Sequence, residues 1–403
     1  MPDPTRRALF RALSLGPALL AIRWPRVAQA TMPEGQTGAA WGEAVRGHFT
    51  IARDTQYMNT GTLGSTPRVV VETMCDHLRL LEEELPAHAY TGEGEPPLAG
   101  YHPEDGLRSK LGALIGANGD ELAITRNATM GMNFIAHGLD MAAGDEVLLT
   151  DQEHPGGRSG WDLRARRDGI VVREIPISPT DDTPDTIVQR FTEALTPRTR
   201  VLAIPHITSG QGCVLPVQRL CAVASTRNIF TVIDGAQAPG QVPVDLHTLG
   251  CDAYFSSPHK WLCAPKGSGF LYIRSAAQEH VWTTLAGGQW DNQTAGAFRF
   301  MQMGTGSRTH LVGYEATLDF WTRLGLDKVA AWDRRLADRL RAGIASNDRF
   351  RLHSPHHPEM AGAMVTWEID GVEGPALQAA LWDQARIRVR HVGKNRVRPC
   401  VSC

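Results

Sequence analysis

The sequence has 403 residues, of which 42% are hydrophobic and 21% are charged, and its formal net charge is −2. This composition is typical of a globular protein with a large core, and the near-neutral charge implies neither a nucleic-acid partner nor an acidic surface as a partner. The seven cysteines are scattered and odd in number, so they do not predict a disulfide framework.

Residues 1–30 have the features of a twin-arginine export signal. Arg6 and Arg7 precede a modest apolar stretch at residues 12–22, and an A-x-A cleavage pattern ends at Ala30. The stretch is too short to span a membrane. We expect a periplasmic or secreted protein with no membrane attachment after cleavage, or a cytoplasmic one if the signal is not used. The alternative is an amphipathic N-terminal helix that is retained.

From about residue 121, short apolar runs alternate with helical patterns. Strands that alternate with helices predict an α/β fold with a mostly parallel, buried sheet. Functional residues are then expected where the strands end. The strands are predicted at residues 121–125, 146–150, 170–177, 200–205, 230–234, 253–256 and 269–273. The helices between them are predicted at residues 129–139, 185–195 and 217–226.

The remainder of the chain predicts a smaller α+β domain. Its helices are predicted at residues 309–324, 326–345 and 375–385, and its strands at residues 363–369 and 387–390. The Gly- and Thr-rich residues 31–45 are expected to be loose. The predicted organisation is a signal at residues 1–30, an N-terminal segment at 31–58, a large domain at 59–297 and a small domain at 298–403.

Lys260 follows directly after the predicted strand 253–256, in the sequence Ser-Ser-Pro-His-Lys-Trp. A lysine just past a strand end can reach into a cleft, and partial burial lowers its pKa and frees the amine for imine formation. Ser257 and His259 beside it can donate hydrogen bonds to a phosphate. The alternative is a surface lysine after a turn.

Asp234 ends the apolar strand 230–234 and is followed by Gly-Ala-Gln. Pyridoxal 5'-phosphate (PLP) needs an acid opposite its pyridine nitrogen, because the protonated ring acts as an electron sink. The spacing to Lys260 allows both side chains to reach one crevice from nearby strands. Gln237 can reach the phenolic oxygen of the same ring.

Two further segments follow strand ends. The segment 127–133 lies where a strand meets a helix, and free backbone N–H groups with the helix dipole suit a phosphate there. Thr129 is also a candidate helix N-cap, which is compatible with that role. His154 follows strand 146–150 and can stack on a flat cofactor, although an isolated loop histidine is more often only solvated.

These four segments, in this order, resemble the class V aminotransferase family of fold type I PLP enzymes. The family includes isopenicillin N epimerase-like proteins and cysteine desulfurases, and the resemblance covers about residues 41–403. It implies that Lys260 forms the Schiff base and shuttles the α-proton, that Asp234 pairs with the pyridinium nitrogen, that Gln237 bonds the phenolic oxygen and that His154 stacks on the ring. The implied phosphate ligands are Ala128, Thr129, Ser257 and His259.

The resemblance also implies a homodimer with shared active sites, because Thr305 matches a threonine that reaches the neighbouring subunit's phosphate. Asn59 and Gly61 match the segment that lines the substrate entrance, and Ser209 matches a residue that approaches cofactor and substrate. Arg398 matches the arginine that grips the carboxylate of an amino-acid substrate.

The end of the sequence leaves several alternatives. Arg390 and Arg396 compete with Arg398 for the carboxylate role, which suits a guanidinium fork. The family pattern continues after this arginine with a Tyr-Asn pair and a helix, whereas this sequence stops at Cys403, so the expectation is either a shortened small domain or a sequence whose end is missing. Cys400 and Cys403 form a C-x-x-C pair, for which ordinary thiols are favoured. A disulfide between them is the alternative if the protein is exported.

The implied chemistry is at the α-carbon of an amino acid: a quinonoid formed from the Lys260 aldimine is reprotonated, transaminated or loses a β-group. Desulfurases of the family carry a loop cysteine that residues 390–395 lack, which disfavours a persulfide mechanism. Segments 57–67 and 206–216 are more similar to the isopenicillin N epimerase-like branch. The alternatives are a cysteine desulfurase or C–S lyase, and a binding protein that kept the fold without turnover.

Overall fold

The computed structural model describes residues 35–87 and 104–402, together with Met32 and His102. The predicted export signal and Cys403 lie outside the described residues. In the described part of the chain, three α-helices and one short strand precede the central sheet: α1 (Gly38–Arg46), β1 (Gln56–Tyr57), α2 (Arg68–Glu84) and α3 (Asp105–Ile115).

The central sheet has seven strands in the order β2-β8-β7-β6-β5-β3-β4. These are β2 (Leu122–Thr125), β3 (Glu146–Thr150), β4 (Val171–Ile175), β5 (Thr199–Pro205), β6 (Phe230–Asp234), β7 (Ala253–Ser256) and β8 (Gly269–Ile273). Only β8 runs antiparallel to its neighbours, β2 and β7. The other pairs are parallel, so the predicted mostly parallel α/β sheet is confirmed.

Helices cover both faces of this sheet. They are α4 (Ala128–Gly138), α5 (Pro155–Asp168), α6 (Pro184–Ala194), α7 (Val217–Ser225) and α8 (Leu246–Leu249). Along β3, Leu148 packs into one hydrophobic cluster, while Val147 and Leu149 pack into another. Because successive side chains point to opposite faces, a strand buried on both faces is a continuous apolar run, which is why these strands are legible in the sequence.

The C-terminal part is the predicted smaller α+β unit. Its elements are α9 (Arg308–Leu324), α10 (Leu326–Ala345), β9 (Phe350–Leu352), β10 (Trp367–Ile369), α11 (Gly374–Ala385), β11 (Ile387–Arg388), β12 (Arg390–Val392) and β13 (Arg396–Arg398). Four of the strands form an antiparallel sheet in the order β12-β13-β10-β9. The predicted domain boundaries stay predictions.

Some sequence expectations differ from the structure. The single strand predicted at residues 387–390 is two strands: β11 pairs with β1, and β12 pairs with β13. Residues 31–45 are not all loose, because α1 begins at Gly38 and its Trp41 is only 1% exposed. The Trp41 ring packs edge-on against Trp332, with ring centroids 5.6 Å apart. Composition alone did not reveal that long-range contact.

The last described residues are held inside the fold. The Cys400 backbone N–H donates to the Met58 carbonyl at 2.8 Å, and Cys400 also forms bridges with Asn59 and Met364. The segment after β13 therefore joins the N-terminal segment to the small sheet. None of the described helices is long and apolar enough to cross a membrane.

Candidate active site

Lys260 lies in a tight turn after β7. Its backbone N–H donates to the Ser257 carbonyl at 2.9 Å, and the Gly64 N–H donates to the His259 carbonyl at 2.8 Å. A Cβ on Gly64 would lie 2.0 Å from the Lys260 carbonyl oxygen, so only glycine permits this approach. Burial lowers the pKa of the half-buried Lys260 side chain; Asp234 opposes this shift. The structure therefore favours an amine that deprotonates more easily than a solvated lysine.

Asp234 lies at the carboxyl end of β6 and is 8% exposed. Its Oδ1 accepts a hydrogen bond from the Ala236 N–H at 2.9 Å, and its Oδ2 has no donor among the described residues. A Cβ on Gly157 would lie 2.5 Å from Oδ2. Burial raises the pKa of this carboxyl, against the Ala236 amide and the charge of Lys260. One oxygen of a buried acid is thus available to a cationic partner in the cleft.

Gln237 is fixed at both ends of its amide. The side-chain nitrogen donates to the Gly61 carbonyl at 2.8 Å, and the side-chain oxygen accepts from the Trp261 indole N–H at 2.8 Å. The amide nitrogen keeps one further N–H. That remaining donor suits the predicted bond to a phenolic oxygen.

The predicted phosphate ligands meet at the start of α4. The Ala128 N–H donates to Ser257 Oγ at 2.9 Å, and His259 Nδ1 lies 2.8 Å from the Ser268 carbonyl. In this bond the His259 Nδ1–H donates to the Ser268 carbonyl oxygen. The Nε2 atom remains for another partner. The backbone N–H groups of a helix start complete an anion site.

Thr129 is exposed in the first turn of α4. The sequence made Thr129 a candidate for the N-cap of this helix, and that expectation is wrong. The N-cap is Asn127, whose side chain accepts from the Met130 N–H at 2.9 Å. The Thr129 hydroxyl is therefore not used for capping. A Cβ on Gly156 would lie 2.7 Å from Thr129 Oγ1, which places this hydroxyl beside the start of α5.

His154 is the N-cap of α5, and its Nδ1 accepts from the Gly156 N–H at 3.0 Å. This contact requires an unprotonated Nδ1. Burial lowers the pKa of His154, and the charges of Lys260, Arg390 and Arg398 add to the shift. A neutral imidazole held by its own helix start suits the predicted stacking on a planar ring.

Arg398 lies at the end of β13 and is 2% exposed. Its guanidinium donates to the Ser209 carbonyl and, at 3.1 Å, to Thr62 Oγ1. The Thr62 hydroxyl in turn donates to Asn59 Oδ1 at 2.8 Å. The structure therefore brings together Asn59, Ser209 and Arg398, which are far apart in the sequence. The Arg398 Nε–H is buried and has no acceptor in the described part of the chain.

The two competing arginines have different environments. Arg396 lies 3.8 Å from Glu368, and the exposed side chain of Arg390 has no hydrogen bond or ion pair to the described residues. The charges of Arg390 and Arg398 add to the lowering of the Lys260 pKa that burial causes. Of the three, Arg398 is the one whose orientation the protein fixes.

Gly61 packs closely against Cys400 and Gln237. A Cβ on Gly61 would lie 2.8 Å from Cys400 Sγ and 2.9 Å from Gln237 Oε1, so glycine is required for this close packing. Cys400 is 0% exposed. None of the described cysteines forms a disulfide, and the proposed bond from Cys400 to Cys403 lies partly outside the described residues.

Thr305 is not brought to Lys260 within this chain. It lines a separate cavity of about 460 Å³ together with Arg126, Lys266 and His310. Its predicted contact with a neighbouring subunit's phosphate stays a prediction.

Sequence reasoning missed three residues of the site: Thr62, Trp261 and Glu153. The first two act through contacts with distant parts of the chain, to Arg398 and Gln237. Glu153 accepts hydrogen bonds from the Thr150 N–H at 3.1 Å and the Thr150 hydroxyl at 2.7 Å. Burial raises its pKa to about 8, and the charge of Asp234 adds to the shift. The spacing of Thr150 and Glu153 was a local signal for this contact.

PLP fits these residues. An amine, a buried acid with an open oxygen and a helix start with phosphate donors share the carboxyl edge of the sheet, where open α/β sheets bind ligands. The missing side chain of Gly157 leaves room beside Asp234 Oδ2. Within the described residues, no group of three or more His, Cys, Asp or Glu side chains is arranged for a metal ion.

The fold and the site together define a PLP-dependent enzyme. Residues 102–403 match the sequence profile of the family described as Aminotransferase class-V, and the chain belongs to this family. PLP is its cofactor.

Curated relatives include two isopenicillin N epimerases. The protein from Amycolatopsis lactamdurans is 32% identical over 368 residues, covering 87% of this chain and 90% of the relative. The protein from Streptomyces clavuligerus is 30% identical over 372 residues, covering 87% and 89%. A probable cysteine desulfurase from Synechocystis sp. is 25% identical over 83% of this chain and 80% of the relative.

Solved structures support the fold. The cystine C-S lyase C-DES, in complex with its reaction product cysteine persulfide, superposes with a TM-score of 0.77 at 24% identity. The match covers 87% of this chain and 93% of that chain. The predicted fold type I architecture is thus confirmed.

Proposed function

We propose that this protein is an amino-acid epimerase that removes the α-proton from one face of its substrate and lets a proton return on the other face. The observation that carries the proposal is that the N-terminal segment joins the two sides of the site: the Gly64 N–H donates to the carbonyl next to Lys260, and the Thr62 hydroxyl accepts from Arg398. The isopenicillin N epimerases among the relatives support this reaction over others.

Each residue has a distinct task in this proposal. PLP, when bound, supplies the electron sink that stabilises the carbanion at the α-carbon. The Lys260 Nζ accepts the α-proton on one face of the substrate, and its lowered pKa increases the fraction of neutral amine. Inversion also needs a proton on the opposite face, which solvent supplies in this proposal. Asp234 Oδ2 would hold the pyridine nitrogen of the bound cofactor, and His154 would cover its ring.

Arg398 is suited to the substrate carboxylate. A guanidinium has five N–H donors, and here one on each terminal nitrogen is used, for the Ser209 carbonyl and for Thr62 Oγ1. One N–H remains on each terminal nitrogen, together with the buried Nε–H that has no acceptor among the described residues. These donors are enough for a bidentate contact with a carboxylate.

Persulfide chemistry is less well supported. Residues 390–398 form the β12–β13 hairpin, which contains no cysteine. The Cys400 thiol is fully buried behind Gly61, where a substrate sulfur cannot approach without rearrangement. A cysteine desulfurase would need an accessible thiol that the β12–β13 hairpin does not provide.

The reaction is tested with the holoenzyme and a panel of L-amino acids in deuterated water. Epimerisation predicts deuterium at the α-carbon and appearance of the D-enantiomer, measured by NMR and chiral chromatography, without stoichiometric keto acid or sulfide. Lys260→Ala should abolish both signals and the visible absorption of the lysine-bound cofactor. Accumulation of keto acid, or of sulfide, without the D-enantiomer would contradict the proposal.

We further propose that the protein acts as a homodimer. Large apolar side chains near the Thr305 segment are exposed, namely Trp282, Leu285, Trp290 and Met303. Exposed apolar groups of this size are typical of protein interfaces. Light scattering of the purified protein should give twice the mass of the chain, and a monomer would contradict the proposal.

We also propose export through the signal at residues 1–30. Its support is the order of paired arginines, apolar stretch and A-x-A site. Cell fractionation should place the protein outside the cytoplasm, and replacing Arg6 and Arg7 by lysine should retain it inside. A protein that stays cytoplasmic with both arginines intact would contradict this proposal.

A further inference from the structure

Arg390 lies directly opposite Arg398 in the small sheet. The two residues are register partners in the antiparallel pair β12–β13. Residues directly opposite each other have Cβ atoms about 5 Å apart and project from the same face of the sheet. That face meets the cleft, because Arg398 bonds Ser209 and Thr62, and Val392 lies 3.9 Å from the Cβ position of Gly210.

This pair of like charges is not neutralised by the described residues. Arg398 donates only to uncharged oxygens, and Arg390 has no hydrogen bond or ion pair to the described part of the chain. Elsewhere on the same sheet, Arg396 and Arg351 each lie within 3.8 Å of Glu368. Like charges directly opposite each other are destabilising. An arginine pair at the cleft is therefore a position where anionic groups of a ligand add stability.

Both arginines also act on the reacting groups. Burial lowers the pKa of Lys260 and that of His154, and the charges of Arg390 and Arg398 add to both shifts. Arg398 is bound to the protein and fixed in direction. Arg390 is exposed and can adjust to a ligand.

We propose that Arg390 binds a second carboxylate, so that the substrate is an amino acid with an acidic side chain. Arg398 holds the α-carboxylate and Arg390 holds the distal one. This inference rests on the proposed function, because it takes Arg398 as the α-carboxylate ligand.

The test compares acidic amino acids with their amides on the holoenzyme. L-glutamate and L-glutamine have the same length, as do L-aspartate and L-asparagine, and differ in the second negative charge. Dissociation constants are measured from the change in absorbance of the bound cofactor. We expect at least one acid to bind about tenfold more tightly than its amide, as one charge-assisted contact allows.

Arg390→Gln should remove this preference: it should weaken the binding of the acidic amino acid about tenfold and leave the binding of its amide unchanged. The matched control is Arg396→Gln, which removes the same charge from the same face at the other end of the hairpin and should preserve the preference. Equal weakening of acid and amide by Arg390→Gln would mean that both arginines hold the α-carboxylate. No effect on either would mean a solvated surface arginine. Each of these two results overturns the inference.

Arg398→Gln separates this inference from the proposed function. It should weaken all four amino acids, because all carry an α-carboxylate. If Arg398→Gln leaves their binding unchanged, the role of Arg398 in the proposed function fails. If none of the four binds to the unmodified protein, the inference about an acidic amino acid fails. If Arg398→Gln weakens all four and Arg390→Gln has no selective effect, only the inference about the second carboxylate fails.

Discussion

The cofactor side and the substrate side of this cleft are built in different ways. On the cofactor side, Asp234 ends a strand of the central sheet, His154 and Lys260 each lie just after one, and all three are fixed by nearby backbone groups. On the substrate side, Arg398 is held by Thr62 and Ser209, which lie 336 and 189 residues away in the sequence. The cofactor side thus depends on local turns, and the substrate side depends on the packing of both ends of the chain.

This difference has a functional consequence. A sheet edge with short turns keeps its side chains in place whatever ligand arrives. The substrate side is formed by β13 and by the N-terminal segment around Thr62. Its side chains can therefore differ without disturbing the residues that would contact the cofactor. Substitutions on the cofactor side should therefore affect turnover, and substitutions on the substrate side should affect substrate affinity.

The largest effect is expected on the cofactor side, at Asp234. Asp234→Ala removes the acid proposed to pair with the pyridine nitrogen, and we expect kcat to fall by about 10³-fold, as loss of a key electrostatic contact typically produces. The control is Asp245→Asn, at the N-cap of α8, where the side chain bonds only the Thr248 N–H. Kinetics with α-proton exchange as the signal measure the effect. A raised KM with an unchanged kcat would contradict the expected difference between the cofactor side and the substrate side.

On the substrate side, Thr62→Val removes the hydroxyl that accepts from Arg398 and donates to Asn59. We expect KM to rise about tenfold with little change in kcat, because one buried charge-assisted hydrogen bond is lost while the cofactor contacts remain. Thr62→Ser should restore the low KM, since it keeps the hydroxyl.

The matched control is Thr60→Val, because the Thr60 hydroxyl lies 2.8 Å from Ser402 Oγ and does not contact Arg398. This variant should bind the substrate as the unmodified protein does. A fall in kcat for Thr62→Val, with KM unchanged, would show that Thr62 acts on the chemical step and not on the substrate arginine.

A smaller effect is expected where the two sides meet, at Trp261. Its indole N–H fixes the Gln237 oxygen, and the Gln237 nitrogen bonds the Gly61 carbonyl of the N-terminal segment. Trp261→Phe frees that amide, so we expect a several-fold loss of kcat and a shift of the cofactor absorbance, because the donor to the phenolic oxygen is less well oriented. Trp382→Phe, beneath Arg388, is the control. An unchanged spectrum would mean that Gln237 does not depend on Trp261 for its orientation.

The contrast between the two sides also explains what the sequence predicted. The strands of the central sheet were predictable because each is an apolar run buried on both faces, and Asp234, His154 and Lys260 follow three of them directly. The sequence also placed Arg398 among its substrate candidates, but through resemblance and with Arg390 and Arg396 as alternatives.

Other features could not be predicted because they depend on contacts between distant residues. The helices α2 and α3 are an exception, because their buried residues recur at helical spacing and were a local signal that the sequence reading did not use. The pairing of β1 with β11 joins residues near 56 to residues near 387. The bonds of Thr62 to Arg398 and of Trp261 to Gln237 have no sequence pattern, since each needs the folded chain to bring its partners together.

The smallest expected effect is on stability, through Glu153 behind the cofactor side. Its pKa in the folded protein is raised to about 8 from an ordinary value of 4.5, because the carboxyl is buried. The folded state therefore binds the Glu153 proton more tightly than the unfolded state does. This contribution to stability is fully present below pH 4.5 and is lost as the pH rises from 4.5 through 8.

Glu153→Gln keeps the acceptor for Thr150 and cannot ionise, so it should reduce the decline of the melting temperature between pH 5 and pH 8 by about 2 °C. Glu121→Gln is the matched control. Hydrogen bonds from Asn118, His247 and Ser275 lower the pKa of Glu121 despite its burial, so it stays ionised throughout this range. Its replacement should lower the melting temperature by a similar amount at pH 5 and pH 8. If the melting temperatures of Glu153→Gln and of the unmodified protein change by the same amount between pH 5 and pH 8, the Glu153 carboxyl is already ionised near neutral pH. The cofactor side would then carry a second negative charge beside Asp234.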